Sequence, residues 1–184
     1  MLDSIRAAIG RHKSIDIEQA RWLFEHADDE SLKELACAVK GRFHPERHAT
    51  YLIMAIINYT NVCVARCDYC SFYRWPGADG GYLLSTDQVC ERIDDLRGLG
   101  GTLVGFNGGF HPDLHLDHYA EMFGEVRRRY PDMEFYELTV AEFMFIAKRS
   151  NLSYAEAAER LARTGTRWVT GGGSEVLTDS FRMR

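Results

Sequence analysis

The sequence predicts an α/β protein in which a helical segment, residues 1–48, precedes a parallel β-sheet, residues 49–184. Three observations support this prediction. Short apolar segments alternate with amphipathic helical patterns after residue 49, only helical patterns occur before it, and polar or glycine-rich sequence follows at least three of the four apolar segments. Strands that alternate with helices form parallel sheets with right-handed crossovers, which carry their functional sites at the carboxyl ends of the strands.

The N-terminal segment is predicted to be helical because its apolar side chains recur three and four positions apart. This periodicity is clearest over residues 15–24 and over residues 32–39. Asp29 or Ser31 is the expected N-cap of the second of these helices, and Gly41 is its expected C-terminal end.

Four strands are predicted after this segment. The first is a continuous apolar run, which is typical of a strand that is buried on both faces of a parallel sheet. The predicted strands are residues 50–57, 102–106, 133–138 and 166–170.

Four helices are predicted to follow or connect these strands, over residues 85–99, 114–130, 140–150 and 153–164. Two of them begin with the signature of a capping box, in which a serine precedes a Glu or Gln by three positions. The serines are Ser85, paired with Gln88, and Ser153, paired with Glu156.

Composition excludes several classes of protein. The chain has 184 residues, of which 46% are hydrophobic, and no apolar run approaches the length of about 20 residues that spans a bilayer. The N-terminus also lacks the apolar region of a signal peptide, so we expect a cytoplasmic protein with no membrane contact. A net charge of −5, with no basic block longer than residues 127–129, argues against a nucleic-acid surface.

The most specific pattern is a C-x3-C-x2-C motif in the polar loop after the first strand, formed by Cys63, Cys67 and Cys70. Five cysteines, an odd number, favour metal or redox chemistry over a disulfide framework. Three thiolates within eight residues can face one side of a compact loop, and thiolates select iron–sulfur clusters or zinc. In a [4Fe-4S] cluster, three cysteine ligands leave one iron open to an external ligand.

Two other uses of these cysteines stay open at this point. Cys67 and Cys70 alone could form a thioredoxin-like redox pair, which would leave Cys63 without a role. A zinc site could instead be completed by histidines. The available histidines are His44, His48, His111, His115 and His118. Cys37 and Cys90 lie within predicted helices, where we expect packed side chains rather than ligands.

The cysteine motif and its surroundings resemble the radical S-adenosylmethionine enzymes, in which an aromatic residue, here Tyr69, precedes the third cysteine. Three blocks resemble in particular the cyclic dehypoxanthine futalosine synthases of the futalosine route to menaquinone. The first block comprises residues 57–74 together with residues 81–85. The other two are residues 108–114 and 171–177, and all three occur in the expected order and spacing.

The resemblance implies a fold and a set of ligands. The fold is a partial (β/α)6 TIM barrel, of which this chain would contain an N-terminal helical segment and about four barrel strands. Cys63, Cys67 and Cys70 would hold a [4Fe-4S] cluster, the open iron would bind the methionine end of S-adenosylmethionine, and the backbone beside Tyr69 would meet the adenine. Such a truncated sheet would expose an edge and an apolar face, which favours association or pairing with the missing half.

Two glycine-rich strand ends are further candidates for binding S-adenosylmethionine. Asn107, Gly108 and Gly109 follow the second strand, and their backbone amides could meet a carboxylate or an amine. Glu175, after the fourth strand, could bind a ribose hydroxyl or the amino group of the methionine end. The simpler alternatives are a tight turn for the first and a helix N-cap for the second.

The resemblance also implies the reaction. A 5′-deoxyadenosyl radical would take a hydrogen atom from the ribose of dehypoxanthine futalosine, and the resulting radical would cyclise onto the benzoate ring. The partners would be a nucleoside-like small molecule and a one-electron donor such as flavodoxin or ferredoxin. The proton acceptor is unassigned, although Glu137 is conceivable.

The chain departs from the resemblance over residues 54–56 and residues 135–142, both of which we expect at the mouth of the barrel. The alternatives are therefore a related radical enzyme, of the aminofutalosine or deazaflavin-forming type, and an inactive fragment. A zinc-stabilised binding domain is the alternative from another class.

Overall fold

A computed structural model of the chain describes residues 1–44, 49–172, 176 and 178–182. The chain divides into two compact units, Met1–Tyr51 and Leu52–Arg184. None of the helices in the described residues is both long enough and apolar enough to cross a membrane.

The described residues of the first unit form three helices, α1 (Leu2–Gly10), α2 (Ile17–His26) and α3 (Asp29–Phe43). Ile5, Ile9 and Leu35 form its small buried core.

The expected ends of the last helix in this unit are wrong. The N-cap of α3 is Asp28, whose carboxylate accepts a hydrogen bond of 2.7 Å from the backbone N–H of Ser31, so neither Asp29 nor Ser31 is the cap. Gly41 lies within α3, which continues to Phe43. No left-handed residue interrupts the helix there, and a helical glycine costs only about 1 kcal/mol relative to alanine.

The second unit is an α/β structure with parallel strands, as the sequence predicts. Three strands, β1 (Met54–Ile57), β2 (Leu103–Phe106) and β3 (Glu134–Tyr136), pair in parallel in that order. Two shorter strands, β4 (Leu138–Thr139) and β5 (Val169–Thr170), form a second parallel pair. The strands of the described residues do not close into a barrel.

The predicted third strand is interrupted at Glu137, so that β3 pairs with β2 while β4 pairs with β5. At the interruption, the buried carboxylate of Glu137 is held by the guanidinium of Arg127. The first and last predicted strands are shorter than expected and begin at Met54 and Val169.

In the part of this unit that the structure describes, five helices accompany the strands: α4 (Thr86–Gly98), α5 (Leu116–Arg129), α6 (Val140–Arg149), α7 (Tyr154–Arg163) and α8 (Asp179–Arg182). The first four lie within one or two residues of the predicted helices. Both predicted capping boxes are confirmed, since the side chains of Ser85 and Ser153 accept hydrogen bonds from the backbone N–H groups of Gln88 and Glu156.

One face of the three-stranded sheet is buried and the other is open. Val104, Phe106 and Phe135 on the buried face belong to a core that includes residues of α4 and α5. On the opposite face, Met54 is 40% exposed and Ile56 is 55% exposed. The expectation that the first strand is buried on both faces is therefore wrong, because Met54 and Ile56 on this second face are left exposed.

Candidate functional site

The loop after β1, residues 58–82, contains all three motif cysteines and is called the cysteine loop. Asn61 anchors it near both of its ends. Its side chain donates a 2.9 Å hydrogen bond to the carbonyl of Gly80 and accepts one of 2.8 Å from the backbone N–H of Tyr82. Its backbone carbonyl accepts a 2.8 Å hydrogen bond from the N–H of Arg74, whose own carbonyl accepts from the N–H of Cys63. These bonds hold the backbone at the first cysteine in a defined position.

The three cysteines are free thiols on the surface of this loop. Cys63 and Cys70 are half-buried, whereas Cys67 is exposed. The N–H of Cys70 donates a 3.0 Å hydrogen bond to the carbonyl of Cys67, which closes a tight turn between these two residues. Arg66, just before that turn, adopts a positive φ of 52°.

Residues 107–109, called the glycine turn, follow β2 and lie directly against the cysteine loop. The N–H of Gly109 donates a 2.9 Å hydrogen bond to the carbonyl of Thr60. A Cβ atom at Gly109 would lie 2.2 Å from the carbonyl oxygen of Val62 and 2.9 Å from the Cβ atom of Cys63. Only glycine permits this approach of the two backbones.

The expectation that the glycine amides are open to a ligand is wrong. The N–H of Gly108 donates a 2.8 Å hydrogen bond to the carboxylate of Glu142, and the N–H of Gly109 bonds Thr60. Both donors are already engaged by the protein. The side chain of Asn107, in contrast, is exposed and lines the neighbouring cleft.

The cysteine loop and the glycine turn share one cleft of about 370 Å³. This volume lies within the range of small-molecule sites, which is roughly 300–1,000 Å³. The cleft is lined by Ile56, Asn58, Thr60, Asn61, Cys63, Cys70, Phe72, Tyr73, Asn107, Gly108 and Gly109. Five of the eight predicted site residues thus meet at the carboxyl edge of the sheet.

The other three predicted site residues do not line this cleft. Cys67 is on the exposed side of the loop, and Tyr69 is 84% exposed. Glu175 lies outside the described residues.

No three His, Cys, Asp or Glu side chains within the described ranges are grouped closely enough to hold a single metal ion. The zinc site that histidines would complete is therefore not formed by the described residues, and His48 lies outside them.

Sequence reasoning missed Glu142 as a residue of this site. Glu142 is the third residue of α6 and is 3% exposed. Its carboxylate accepts hydrogen bonds of 2.9 Å from the hydroxyl of Tyr59 and of 2.8 Å from the N–H groups of Gly108 and Thr139. Burial raises the pKa of the Glu142 carboxyl, and the hydrogen bonds that it accepts offset part of that rise. A T-x-x-E capping box signals the helix start, but nothing local signals the bond to Gly108.

Glu137, the conceivable proton acceptor, is not among the residues that line the cleft. Its buried carboxylate accepts hydrogen bonds from the Nε and a terminal nitrogen of Arg127 on α5. Burial raises the pKa of Glu137, and the nearby guanidinium opposes the rise. The structure thus gives this residue a role in packing α5 against the strands.

Comparison with known proteins identifies the family. Residues 57–174 match the profile of the Radical SAM superfamily, and this range begins at the last residue of β1 and holds the cysteine loop, the glycine turn and β2 to β5. The chain belongs to the Radical SAM superfamily. Members of this superfamily use a [4Fe-4S] cluster together with S-adenosylmethionine.

Individual Radical SAM proteins are similar to this chain along nearly its whole length. The chain is 32% identical to cyclic dehypoxanthine futalosine synthase of Halalkalibacterium halodurans over 183 residues. This aligned region covers 100% of this chain and 50% of that protein. It is 35% identical to the enzyme of the same name from Streptomyces coelicolor, over 96% of this chain and 45% of that protein. The chain therefore spans about half the length of these curated relatives.

More distant similarity supports the family and the fold. A 5-amino-6-(D-ribitylamino)uracil–L-tyrosine 4-hydroxyphenyl transferase of Methanopyrus kandleri is 31% identical over 74% of this chain, which corresponds to 37% of that protein. The FeFe-hydrogenase maturase HydG of Carboxydothermus hydrogenoformans has a similar structure, with a TM-score of 0.54 over 89% of this chain and 46% of its own, at 18% identity.

Proposed function

We propose that this chain carries the cofactor site of a Radical SAM enzyme that converts dehypoxanthine futalosine to its cyclic form in menaquinone biosynthesis. In this proposal Cys63, Cys67 and Cys70 hold the [4Fe-4S] cluster, and S-adenosylmethionine binds in the adjoining cleft. The observation that carries the proposal is the shared cleft, because two motif cysteines and the glycine turn line the same space.

The residues present fit such a cofactor. Three free thiols lie within one short loop, and iron–sulfur clusters are held by cysteine thiolates. Cys63 and Cys70 face the cleft and Cys67 is accessible beside them, so all three can be reached without unfolding the core. When bound, the cluster and S-adenosylmethionine supply a 5′-deoxyadenosyl radical that takes a hydrogen atom from the substrate.

The chain's own residues orient the ligand and limit access of water. The side-chain amide of Asn107 can donate to a carboxylate or accept from an amine, which suits the methionine end of S-adenosylmethionine. We assign the backbone beside Tyr69 to the adenine and Glu175 to a ribose hydroxyl or the methionine amino group. Ile56 and Phe72 provide apolar walls to the cleft.

The choice of substrate rests on the extent of similarity. Identity of 32% extends along the whole chain for a cyclic dehypoxanthine futalosine synthase, whereas the tyrosine transferase relative matches 74% of it. A nucleoside-like small molecule is thus the proposed substrate, and a flavodoxin or ferredoxin is the proposed electron donor. The proposed fold of the longer enzyme is a six-stranded partial barrel to which this chain contributes the first strands. The second candidate is transfer of a tyrosine-derived group to a ribitylaminouracil.

Anaerobic reconstitution with iron and sulfide tests the cofactor assignment. We expect about four iron and four sulfide per chain, and we expect loss of both in Cys63→Ala, Cys67→Ala and Cys70→Ala. Cys37→Ala is the matched control, because Cys37 is an exposed cysteine of α3 outside the motif. One zinc and no sulfide would support the zinc-stabilised binding domain instead.

Incubation of the reconstituted protein with dithionite and S-adenosylmethionine tests the activity. Formation of 5′-deoxyadenosine is expected, and its yield should rise with dehypoxanthine futalosine. A rise with tyrosine and 5-amino-6-(D-ribitylamino)uracil would support the second candidate. No 5′-deoxyadenosine from a protein that holds the cluster would identify an inactive fragment.

A further inference from the structure

Glu142 joins three segments that lie far apart in the sequence. Its Oε1 atom accepts hydrogen bonds from the hydroxyl of Tyr59 in the cysteine loop and from the N–H of Gly108 in the glycine turn. Its Oε2 atom accepts from the N–H of Thr139 at the start of α6. The three bonds are 2.9, 2.8 and 2.8 Å long.

Capping of α6 explains only part of this arrangement. In a capping box, the side chain of the third helical residue bonds the backbone N–H of the N-cap, which here uses Oε2 alone. The two bonds to Oε1 reach residues 34 and 83 positions away. They contribute nothing to the helix end and instead connect the two loops that line the cleft.

The glycine turn is shaped to make this connection. A Cβ atom at Gly108 would lie 2.1 Å from the ring of Tyr59, so the turn packs directly on the buried side chain that Glu142 also binds. The Glu142 bond directs the N–H of Gly108 to the carboxylate, and the next residue, Gly109, contacts Val62 and Cys63. A fixed Gly108 therefore fixes the position of Asn107 and Gly109 relative to the first cysteine.

We propose that Glu142 is a positioning residue for the cofactor site. It holds the glycine turn in register with the cysteine loop, so that the cluster ligated by the Cys63 thiolate and the side chain of Asn107 would meet the same bound S-adenosylmethionine. This inference rests on the proposed function. Glu142 itself does not line the cleft.

The test uses Glu142→Ala and Glu142→Gln in the reconstituted protein. The measurements are the dissociation constant of S-adenosylmethionine and the change that it produces in the electron paramagnetic resonance spectrum of the reduced cluster. Loss of the acceptor leaves the half-buried N–H of Gly108 without its partner and frees the glycine turn to shift, so we expect Glu142→Ala to weaken binding about ten-fold with iron content retained. Glu142→Gln keeps one oxygen acceptor and nearly the same volume, so it should fold well and show a smaller loss.

Thr139→Ala is the matched control. It removes the hydroxyl that caps α6, which accepts a 3.1 Å hydrogen bond from the N–H of Glu142, but it keeps the backbone N–H that bonds the carboxylate. It should lower stability and leave S-adenosylmethionine affinity unchanged. Equal weakening by Thr139→Ala and Glu142→Ala would overturn the proposal, as would wild-type affinity and spectrum in Glu142→Ala.

Hydrogen exchange of the Gly108 amide separates this inference from the proposed function. In protein without cofactors, Glu142→Ala should accelerate that exchange about ten-fold or more relative to Thr139→Ala. Wild-type protein that takes up no cluster would refute the proposed function. The exchange rate of the Gly108 amide would still show whether Glu142 holds the glycine turn in place. An unchanged rate in Glu142→Ala would show that it does not.

Discussion

At the scale of single residues, the glycines after β2 allow the glycine turn and the cysteine loop to approach each other closely. Gly109 meets the backbone of Val62 and the first carbon of the Cys63 side chain, and a backbone cannot move aside as a flexible side chain can. A side chain at this position would separate the glycine turn from the cysteine loop.

Gly109→Ala should therefore destabilise the protein by about 1–3 kcal/mol, the usual cost of overpacking. The measurement is the free energy of unfolding in urea. Gly98→Ala is the matched control: Gly98 is the last residue of α4 and nothing lies within 4 Å of its Cβ position, so alanine should stabilise by about 0.5–1 kcal/mol. A wild-type unfolding midpoint for Gly109→Ala would contradict the observed approach.

The buried pair of Arg127 and Glu137 gives a pH-dependent prediction. Burial raises the pKa of Glu137 above its ordinary value, so the folded state binds its proton more tightly than the unfolded state, and this carboxyl costs stability as the pH rises from the unfolded to the folded pKa. Arg127→Met removes the guanidinium that opposes the rise. The variant should lose about 3–5 kcal/mol near neutral pH and less at lower pH, where the carboxyl takes up a proton.

Urea unfolding of Arg127→Met at several pH values measures this effect. The double variant with Glu137→Leu is the control, because replacing a buried ion pair by apolar side chains is often neutral. It should recover most of the stability and lose the added pH dependence. A penalty for Arg127→Met that is the same at all pH values would show that Glu137 does not titrate in the folded protein.

At the scale of elements, the helix starts are the most local features of the fold. Helix α7 begins at a complete capping box in which Ser153 and Glu156 bond each other's backbone N–H groups. Both side chains are exposed, so the contribution of the cap is separable from core packing.

Ser153→Ala should lower the free energy of unfolding by about 1 kcal/mol. Ser153→Asp keeps an acceptor for the N–H of Glu156 and should stay close to the wild-type value. Thermal or urea unfolding of both variants checks the expectation, and equal destabilisation by Ala and Asp would assign the effect to something other than the cap.

At the scale of the whole molecule, the open face of the sheet is the dominant feature of the second unit. Register pairs Ile56 with Gly105 and Gly105 with Tyr136, so these residues share the face that bears the exposed Met54. Exposed apolar sheet faces and unpaired strand edges promote association.

The chain alone should therefore self-associate, and sedimentation velocity measures its state. Met54→Thr combined with Tyr136→Thr should reduce the fraction of large species, because threonine keeps strand propensity and removes apolar surface. A monodisperse wild-type monomer at the same concentration would contradict this prediction.

Several features were predictable because their signals are local. The boundaries of α4 to α7 follow from periodicity and capping residues that lie within a few positions of each other. The first strand was misjudged for a different reason. Its apolar sequence is the same whether a second layer covers Met54 and Ile56 or not, and only the arrangement of the other elements shows that the described residues leave them open.

The sequence alone determined the parallel α/β class, the cysteine motif and the resemblance to the Radical SAM superfamily, because these depend on residue types at short, fixed spacings. The tertiary structure decided which groups of the candidate site are available. It showed that the N–H of Gly108 is already bound by Glu142, and that Tyr59 shares the same carboxylate oxygen. Those bonds join residues 34 and 83 positions apart, and short-range sequence patterns contain no information about such pairs.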